Sequence, residues 1–236
     1  MFTKNKKNTK KRTKTVRFGE KLSFASIEAY KLLRTNISFF FPDVTGGRTV
    51  GITSPCPQDG KSTTSINLAY ALADEGHKVI LIDADMRHPS IYTSLELPIS
   101  PGLSNVLSGD KEIPLHKGVL YENLSILTSG DLPPNPCELI GSNRMKELLD
   151  DLKQTYDYVI VDLPPVLAVS DPIVVSKYIN GIIIVTRCGY TRRKDVIESV
   201  RQLKFANAKI FGFVYNGAGM RKALYYRRSN KYYYYK

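Results

Sequence analysis

Three uninterrupted apolar runs, Val79-Ile80-Leu81-Ile82, Tyr158-Val159-Ile160-Val161 and Ile182-Ile183-Ile184-Val185, constrain this chain more than any other feature. A strand with one wet face alternates apolar and polar residues. A strand that is apolar at every position is covered on both faces, as in the middle of a parallel sheet. Shorter strand signals fall at 49–53, 124–127 and 210–215. Helical spacing falls between them: over 26–40 with Ser26 as N-cap, over 61–73 with Gly76 as the stop, over 136–152 with Pro136 in the first turn, from Asp171-Pro172 onward, and over 192–205. Pro42 and Gly46-Gly47 are expected to end the first of these helices. Strands alternating with helices specify an α/β fold, a parallel sheet with helices on both faces. A chain of 236 residues is the size of one such domain, and it contains no internal repeat.

Charge is concentrated at the two ends. Residues 1–21 hold nine Lys/Arg against one Glu, and residues 221–236 hold six Lys/Arg and no acid, which leaves the body near −2 of the total +12. The ends therefore read as a basic disordered arm over 1–21 and a tail over 220–236, flanking a folded domain over 22–219. A nearly neutral body argues against a dedicated nucleic-acid surface. The basic ends suit peripheral contact with anionic lipid. No run approaches the roughly 20 apolar residues of a membrane span, and no apolar segment follows the N-terminal charges, so a cytoplasmic location is expected. Cys56, Cys137 and Cys188 are scattered, with neither metal spacing nor a disulfide framework.

The chemistry starts where the first strand hands over to a helix, at Ser54-Pro55-Cys56-Pro57-Gln58-Asp59-Gly60-Lys61-Ser62-Thr63. Backbone N–H groups at a helix N-terminus hold phosphate oxygens. Lys61 adds a mobile charge for β- and γ-phosphates, Ser62 a hydroxyl for Mg²⁺, and Gly60 a close approach of backbone to phosphate. The expected contacts are Gln58, Asp59, Gly60, Lys61, Ser62 and Thr63, in a P-loop NTPase-like fold. Pro55 stands where the usual pattern has its first glycine. Asp83 and Asp85 close the second strand and Asp162 closes the third. Ligands of open parallel sheets sit outside the carboxyl ends of the strands, so these carboxylates should converge beside Lys61 and Ser62.

The tail holds Tyr225 and Tyr226, then Tyr232, Tyr233, Tyr234 and Tyr235 in one run. Beside a nucleotide site, such a cluster suggests an enzyme that transfers phosphate to its own tyrosines.

The ordered set resembles the bacterial tyrosine kinases of capsule and exopolysaccharide synthesis. The loop ending Gly60-Lys61-Ser62-Thr63, the strand ending Asp83-Ala84-Asp85-Met86-Arg87 and the strand ending Asp162 are similar to their Walker A, A′ and B motifs. The segment from Gly130-Asp131-Leu132-Pro133-Pro134 to Leu139 is similar to their proline-rich segment. The helix carrying Glu28, Lys31 and Arg34 resembles their self-association motif. The resemblance covers roughly 22–236. It implies an autokinase that uses ATP and Mg²⁺, phosphorylates the tail tyrosines in trans within a ring-like oligomer, and acts on other proteins as well. The tail's net charge would reverse after three or four phosphorylations, each adding about −1.5 to −2, and the ring is expected to disassemble. Since no span is seen, the resemblance also implies a separate membrane-spanning activator that recruits the chain to the membrane, and a cognate tyrosine phosphatase.

Under that reading Lys61 holds phosphates, Ser62, Asp85 and Asp162 hold Mg²⁺, and Asn216 lies on the adenine side. Asp83 is the candidate acceptor of the tyrosine proton, with the roles of Asp83 and Asp85 open to exchange. Two departures stand out: Gln58 replaces a loop glycine, and Lys31 replaces the motif's usual Arg, which it cannot match as a bidentate partner. Two other classes remain. One is a partitioning or division switch ATPase, whose signature Lys would fall at Cys56; the other is a nucleotide-binding scaffold without transfer activity.

Overall fold

The computed structural model describes residues 22–41, 46–119 and 121–218; the basic arm, Pro42 and the tail tyrosines lie outside the described residues. Among the described residues, seven strands form one sheet in the order β3-β4-β2-β5-β1-β6-β7. They are β1 (Arg48–Thr53), β2 (Val79–Asp83), β3 (His116–Lys117), β4 (Leu124–Leu127), β5 (Tyr158–Asp162), β6 (Gly181–Arg187) and β7 (Ile210–Asn216). All pairings are parallel except the short β3 against β4.

The apolar runs behave as two-sided strands. Val79 and Leu81 of β2 join one core layer while Ile80 and Ile82 join the other; Tyr158 and Ile160 of β5 likewise face away from Val159 and Val161. Successive side chains point to opposite faces, so both faces demand apolar residues. Helices α1 (Phe24–Ser38), α2 (Lys61–Asp74) and α3 (Ile91–Leu95) cover the first face. The second face is covered by α4 (Leu103–Ser108), α5 (Pro136–Ile140), α6 (Asn143–Thr155), α7 (Asp171–Val175) and α8 (Arg193–Phe205). This is the expected P-loop NTPase-like α/β fold.

Two helix expectations are corrected. The N-cap of α1 is Ser23, whose Oγ accepts the Ser26 N–H at 3.2 Å, so the helix begins two residues before Ser26. The helix expected over 136–152 is two helices. It breaks at Gly141-Ser142, where Ser142 caps α6 by accepting the Met145 N–H. A Cβ at Gly141 would press on Val174 of α7 at 2.5 Å, so the break also lets that turn lie close to its neighbour. The elements α3, α4 and β3 have only five, six and two residues and gave no periodic signal.

Helix α2 sits between the sheet and α1, and every residue from 64 to 73 is buried. Its sequence is therefore apolar or small all round rather than amphipathic. This fixes the helix N-terminus, and with it Lys61, against the end of β1.

Candidate active site

The parallel register brings the acidic strand ends together. Asp83 stands opposite Asp162 across β2 and β5, and Ile52 of β1 stands opposite Asp162 on the other side. The loop after β1 leads directly into α2, so Lys61 enters the same crevice. Its Nζ lies 2.9 Å from Asp85 Oδ2, 3.4 Å from Asp162 Oδ2 and 3.2 Å from Ser62 Oγ. Asp83 and Asp162 are fully buried and Asp85 nearly so. Burial alone would lower the Lys61 pKa, but the carboxylates of Asp162, Asp85 and Asp83 outweigh it and hold the ammonium above its ordinary value.

The three aspartates are held differently. Asp83 accepts three backbone N–H groups, from Asp85 at 3.2 Å, Ser90 at 3.2 Å and Ile91 at 3.1 Å, and so shapes the loop that follows β2. Burial, then the neighbouring Asp162, raise its pKa to about 7, against the pull of Lys61 and the Ile91 N–H. Asp162 is also raised by burial, opposed by Lys61 and the hydroxyls of Ser62 and Ser65. The Ser65 hydroxyl donates to Asp162 Oδ1 at 2.9 Å. Asp85 uses Oδ1 to accept the His88 N–H and Oδ2 to meet Lys61. Asp85 lies beyond the end of β2, so a loop turn, not strand alternation, brings it to Lys61.

The phosphate loop is braced from across the sheet. Asp59, fully buried, accepts the Cys56 N–H at 3.0 Å and the Thr191 hydroxyl at 2.6 Å. Arg187 Nη1 donates to the Gln58 carbonyl at 3.1 Å. Asn216 Nδ2 donates to the Asp59 carbonyl at 3.0 Å. Gly60 has φ +98°, and a Cβ there would collide with the Asn216 amide. Gly60 is thus required twice, by its dihedral and by the asparagine behind it. Gln58 has φ +67°, the left-handed region that favours glycine. Thr63 lies in the first turn of α2, where its carbonyl accepts Asn67 Nδ2. Thr191, Arg187 and Ser65 were not anticipated. Only Ser65, one turn after Lys61, carries a signal that spacing could have shown.

Of the α1 residues, Glu28 and Lys31 pair with each other at 3.0 Å on the surface. Arg34 turns inward, with Nη1 on the Ala71 carbonyl at 2.9 Å and Nε 2.8 Å from Glu75 at the end of α2.

A family model described as an AAA domain matches residues 58–210. Tyrosine-protein kinase YwqD of Bacillus subtilis (strain 168) is 40% identical over 198 residues, 83% of this chain and 82% of that protein. The chain belongs to the bacterial tyrosine kinases. Tyrosine-protein kinase etk of Escherichia coli (strain K12) is 35% identical over 205 residues, which make up 86% of this chain but 28% of that longer protein. The solved kinase domain of Escherichia coli tyrosine kinase ETK superposes with a TM-score of 0.77 at 34% identity, covering 89% of this chain and 79% of that one. The septum site-determining protein MinD of Pyrococcus horikoshii OT3, complexed with Mg-ADP, superposes at 0.61 with 26% identity over 74% of this chain and 72% of that one. In this bacterial tyrosine kinase Cys56 lies in the loop between β1 and α2. The Cys56 thiol is pushed up by burial and by the carboxylates of Asp195 and Asp59.

Proposed function

We propose that this bacterial tyrosine kinase transfers the γ-phosphoryl group of ATP to the tyrosine cluster at 225–235 of a neighbouring copy, and to tyrosines of other proteins, in the control of capsule or exopolysaccharide synthesis. The observation that carries the reading is Lys61, its side chain 11% exposed at the N-terminus of α2 between Asp85 and Asp162. Three buried carboxylates face one ammonium, so the crevice holds uncompensated negative charge. A bound divalent cation would offset it; burial is the main cause of the raised pKa values of Asp83 and Asp162. Mg²⁺ takes few protein ligands and keeps waters, so a serine hydroxyl and two carboxylates would suffice to hold it.

In this reading Ser62, Asp85 and Asp162 would hold Mg²⁺, which would supply charge neutralisation at the phosphates. Lys61 would bind the β- and γ-phosphates. The N–H groups of Gln58 to Thr63 line the phosphate oxygens, and Asn216, whose amide donates to the Asp59 carbonyl, lies on the adenine side. Asp83 takes the tyrosine proton. With a pKa near 7 it is the aspartate best matched to proton transfer at neutral pH. Its three N–H partners hold it in place and leave acceptor capacity free, whereas Asp85 is assigned to Mg²⁺. Self-association through Glu28, Lys31 and Arg34, a separate membrane activator and a cognate phosphatase complete the proposal. Arg34 supports it only if its contacts to α2 are shared with a neighbour.

The test is incubation with Mg-ATP and a candidate activator's cytoplasmic tail, mapping phosphate by mass spectrometry beside Lys61→Met. Phosphotyrosine at 225–235 that is absent from the variant is the expected result. ATP turnover without phosphotyrosine would make the chain a switch ATPase, and neither activity would make it a scaffold.

A further inference from the structure

Helix α8 is basic on the side that faces solvent. At about 100° per residue, Arg193, Lys194, Ile197, Arg201, Lys204 and Phe205 fall within about a third of the circumference, and all six are exposed. The other side is buried through Ser199 and Leu203, with Leu203 packed beside Ile182 and Ile184 of β6. The outward side thus carries four cations, two large apolar side chains and no acid. The body between the two basic ends is near −2 as a whole, so this charge is a local concentration.

Helix chemistry explains only part of it. Lys204 suits the last turn of a helix, and Arg201 meets Glu198 at 3.5 Å. Arg193 and Lys194 stand in the first turn, where the helix dipole disfavours cations. Neither forms an ion pair among the described residues, and the nearby Asp195 is taken by Arg192 at 2.7 Å. Ile197 is 57% exposed and Phe205 92%. The apolar surface continues onto the sheet. Phe213 of β7 stands opposite Ile184 of β6, so it lies on the face that α8 covers, one strand nearer the edge. Tyr215, two residues on, shares that face, and the pair are 53% and 61% exposed.

The mixture of charge and apolar surface selects the partner. A nucleic acid would neutralise the cations through its phosphates but give Ile197 and Phe205 no apolar surroundings. A helical peptide needs an apolar groove, and the outward side of a helix is convex. An anionic bilayer supplies headgroup charge for the cations and an acyl boundary for the apolar side chains. Helix α1, with the residues assigned to self-association, packs on the opposite face of the sheet. Docking through α8 therefore leaves α1 to a neighbouring copy.

We propose that the outward side of α8, with Phe213 and Tyr215 of β7, is a docking surface for an anionic phospholipid bilayer. Arg193, Lys194, Arg201 and Lys204 meet the headgroups, while Ile197 and Phe205 enter the boundary with the acyl chains. The inference goes beyond the kinase reading and is tested without nucleotide, so either can fail alone.

The chain contains no tryptophan, so a single one introduced into the full chain reports its own position. Phe205→Trp, Phe213→Trp and, on the opposite face, Leu32→Trp are each titrated with vesicles. These are phosphatidylcholine alone or with about a third phosphatidylserine, at about 0.1 M salt, where screening is moderate. Blue-shifted emission, quenched by brominated acyl chains, is expected at positions 205 and 213 with the anionic vesicles only, and none at position 32. Adding Arg193→Gln/Lys194→Gln/Lys204→Gln to the Phe205→Trp chain should raise the lipid concentration at half-signal roughly tenfold or more. Unchanged melting temperatures show that the variants fold, and Ile197→Trp stands in for any that does not. The basic ends attract the same vesicles, but a tryptophan on α8 shifts only where α8 itself enters lipid. Four results would overturn the proposal: no shift at 205 and 213 with anionic vesicles, an equal shift at 32, a half-signal unmoved by the charge variant, or a shift at 205 that grows with protein concentration without vesicles. The last would make the surface an interface between copies.

Discussion

At the scale of single residues, Gln58 and Asp83 carry costs that the site imposes. Gln58 has φ +67°, a conformation that crowds any Cβ, and its carbonyl is pinned there by Arg187. Gln58→Gly should therefore stabilise the protein by about 1 kcal/mol, less the extra chain entropy of glycine; urea unfolding measures it, and a loss of stability would mean that the Gln58 side chain makes a contact worth more than the strain. The sequence showed the anomaly, since a glycine is usual there, but not its sign, which depends on a dihedral. Asp83 is the second case. In the unfolded chain its carboxyl titrates near about 3.9, whereas burial and Asp162 raise it to about 7 in the fold. The folded state thus keeps a proton that the unfolded state has lost. The stabilising contribution is complete below about pH 4 and is lost as pH rises through about 7. Metal-free protein should accordingly melt lower at pH 8 than at pH 5, and Asp83→Asn should flatten that difference. A slope unchanged in the variant would assign it to other groups. That Asp83 and Asp162 would be neighbours was legible from two strands ending in aspartate. That Asp83 would be tied up by Ser90 and Ile91 was not, because those contacts depend on the unperiodic turn into α3.

At the scale of elements, the strands were readable and the braces were not. Two-sided burial writes itself into composition, so β2, β5 and β6 stand out as continuous apolar runs. The break between α5 and α6 was missed because apolar spacing continues across it; Gly141 and Ser142 were the local signals, a glycine where two helices approach and a capping serine. The phosphate loop depends on partners 132 and 157 residues away, Thr191 on Asp59 and Asn216 on the Asp59 carbonyl, and no spacing rule reaches that far. This brace should matter more to ligand binding than to folding. Thr191→Val keeps the shape but leaves the buried Asp59 Oδ1 and the Arg187 N–H without their shared hydroxyl. An unsatisfied buried polar group costs about 1–3 kcal/mol, so the melting temperature should fall modestly while the loop loosens. The expected outcome is weaker nucleotide binding by calorimetry with Mg-ATP. Native affinity in a folded variant would show that the loop holds its shape without the Thr191 contact.

At the scale of the whole molecule, the question is which copy's tail a site serves. The described fold ends just past β7, at the sheet edge and two strands from β1 and the phosphate loop. The six tyrosines all lie after position 218. Charge does not choose: six basic residues and no acid would repel a second tail, and each phosphate added would offset that by about −1.5 to −2 charges. The decisive experiment mixes two crippled chains. One carries Lys61→Met and an intact tail, so it offers acceptors without a working site. The other has a working site and all six tail tyrosines changed to phenylalanine. Transfer in trans predicts phosphotyrosine on the Lys61→Met chain only in the mixture, rising with the square of total concentration when the copies are dilute. Transfer in cis predicts none in the mixture, while the native chain alone labels itself at a rate independent of concentration. Because Lys61 lies among buried carboxylates, Lys61→Met leaves them facing one another, so the variant must be shown to fold before a blank result counts. With folding verified, a blank mixture beside a labelled native control would place each tail in its own site.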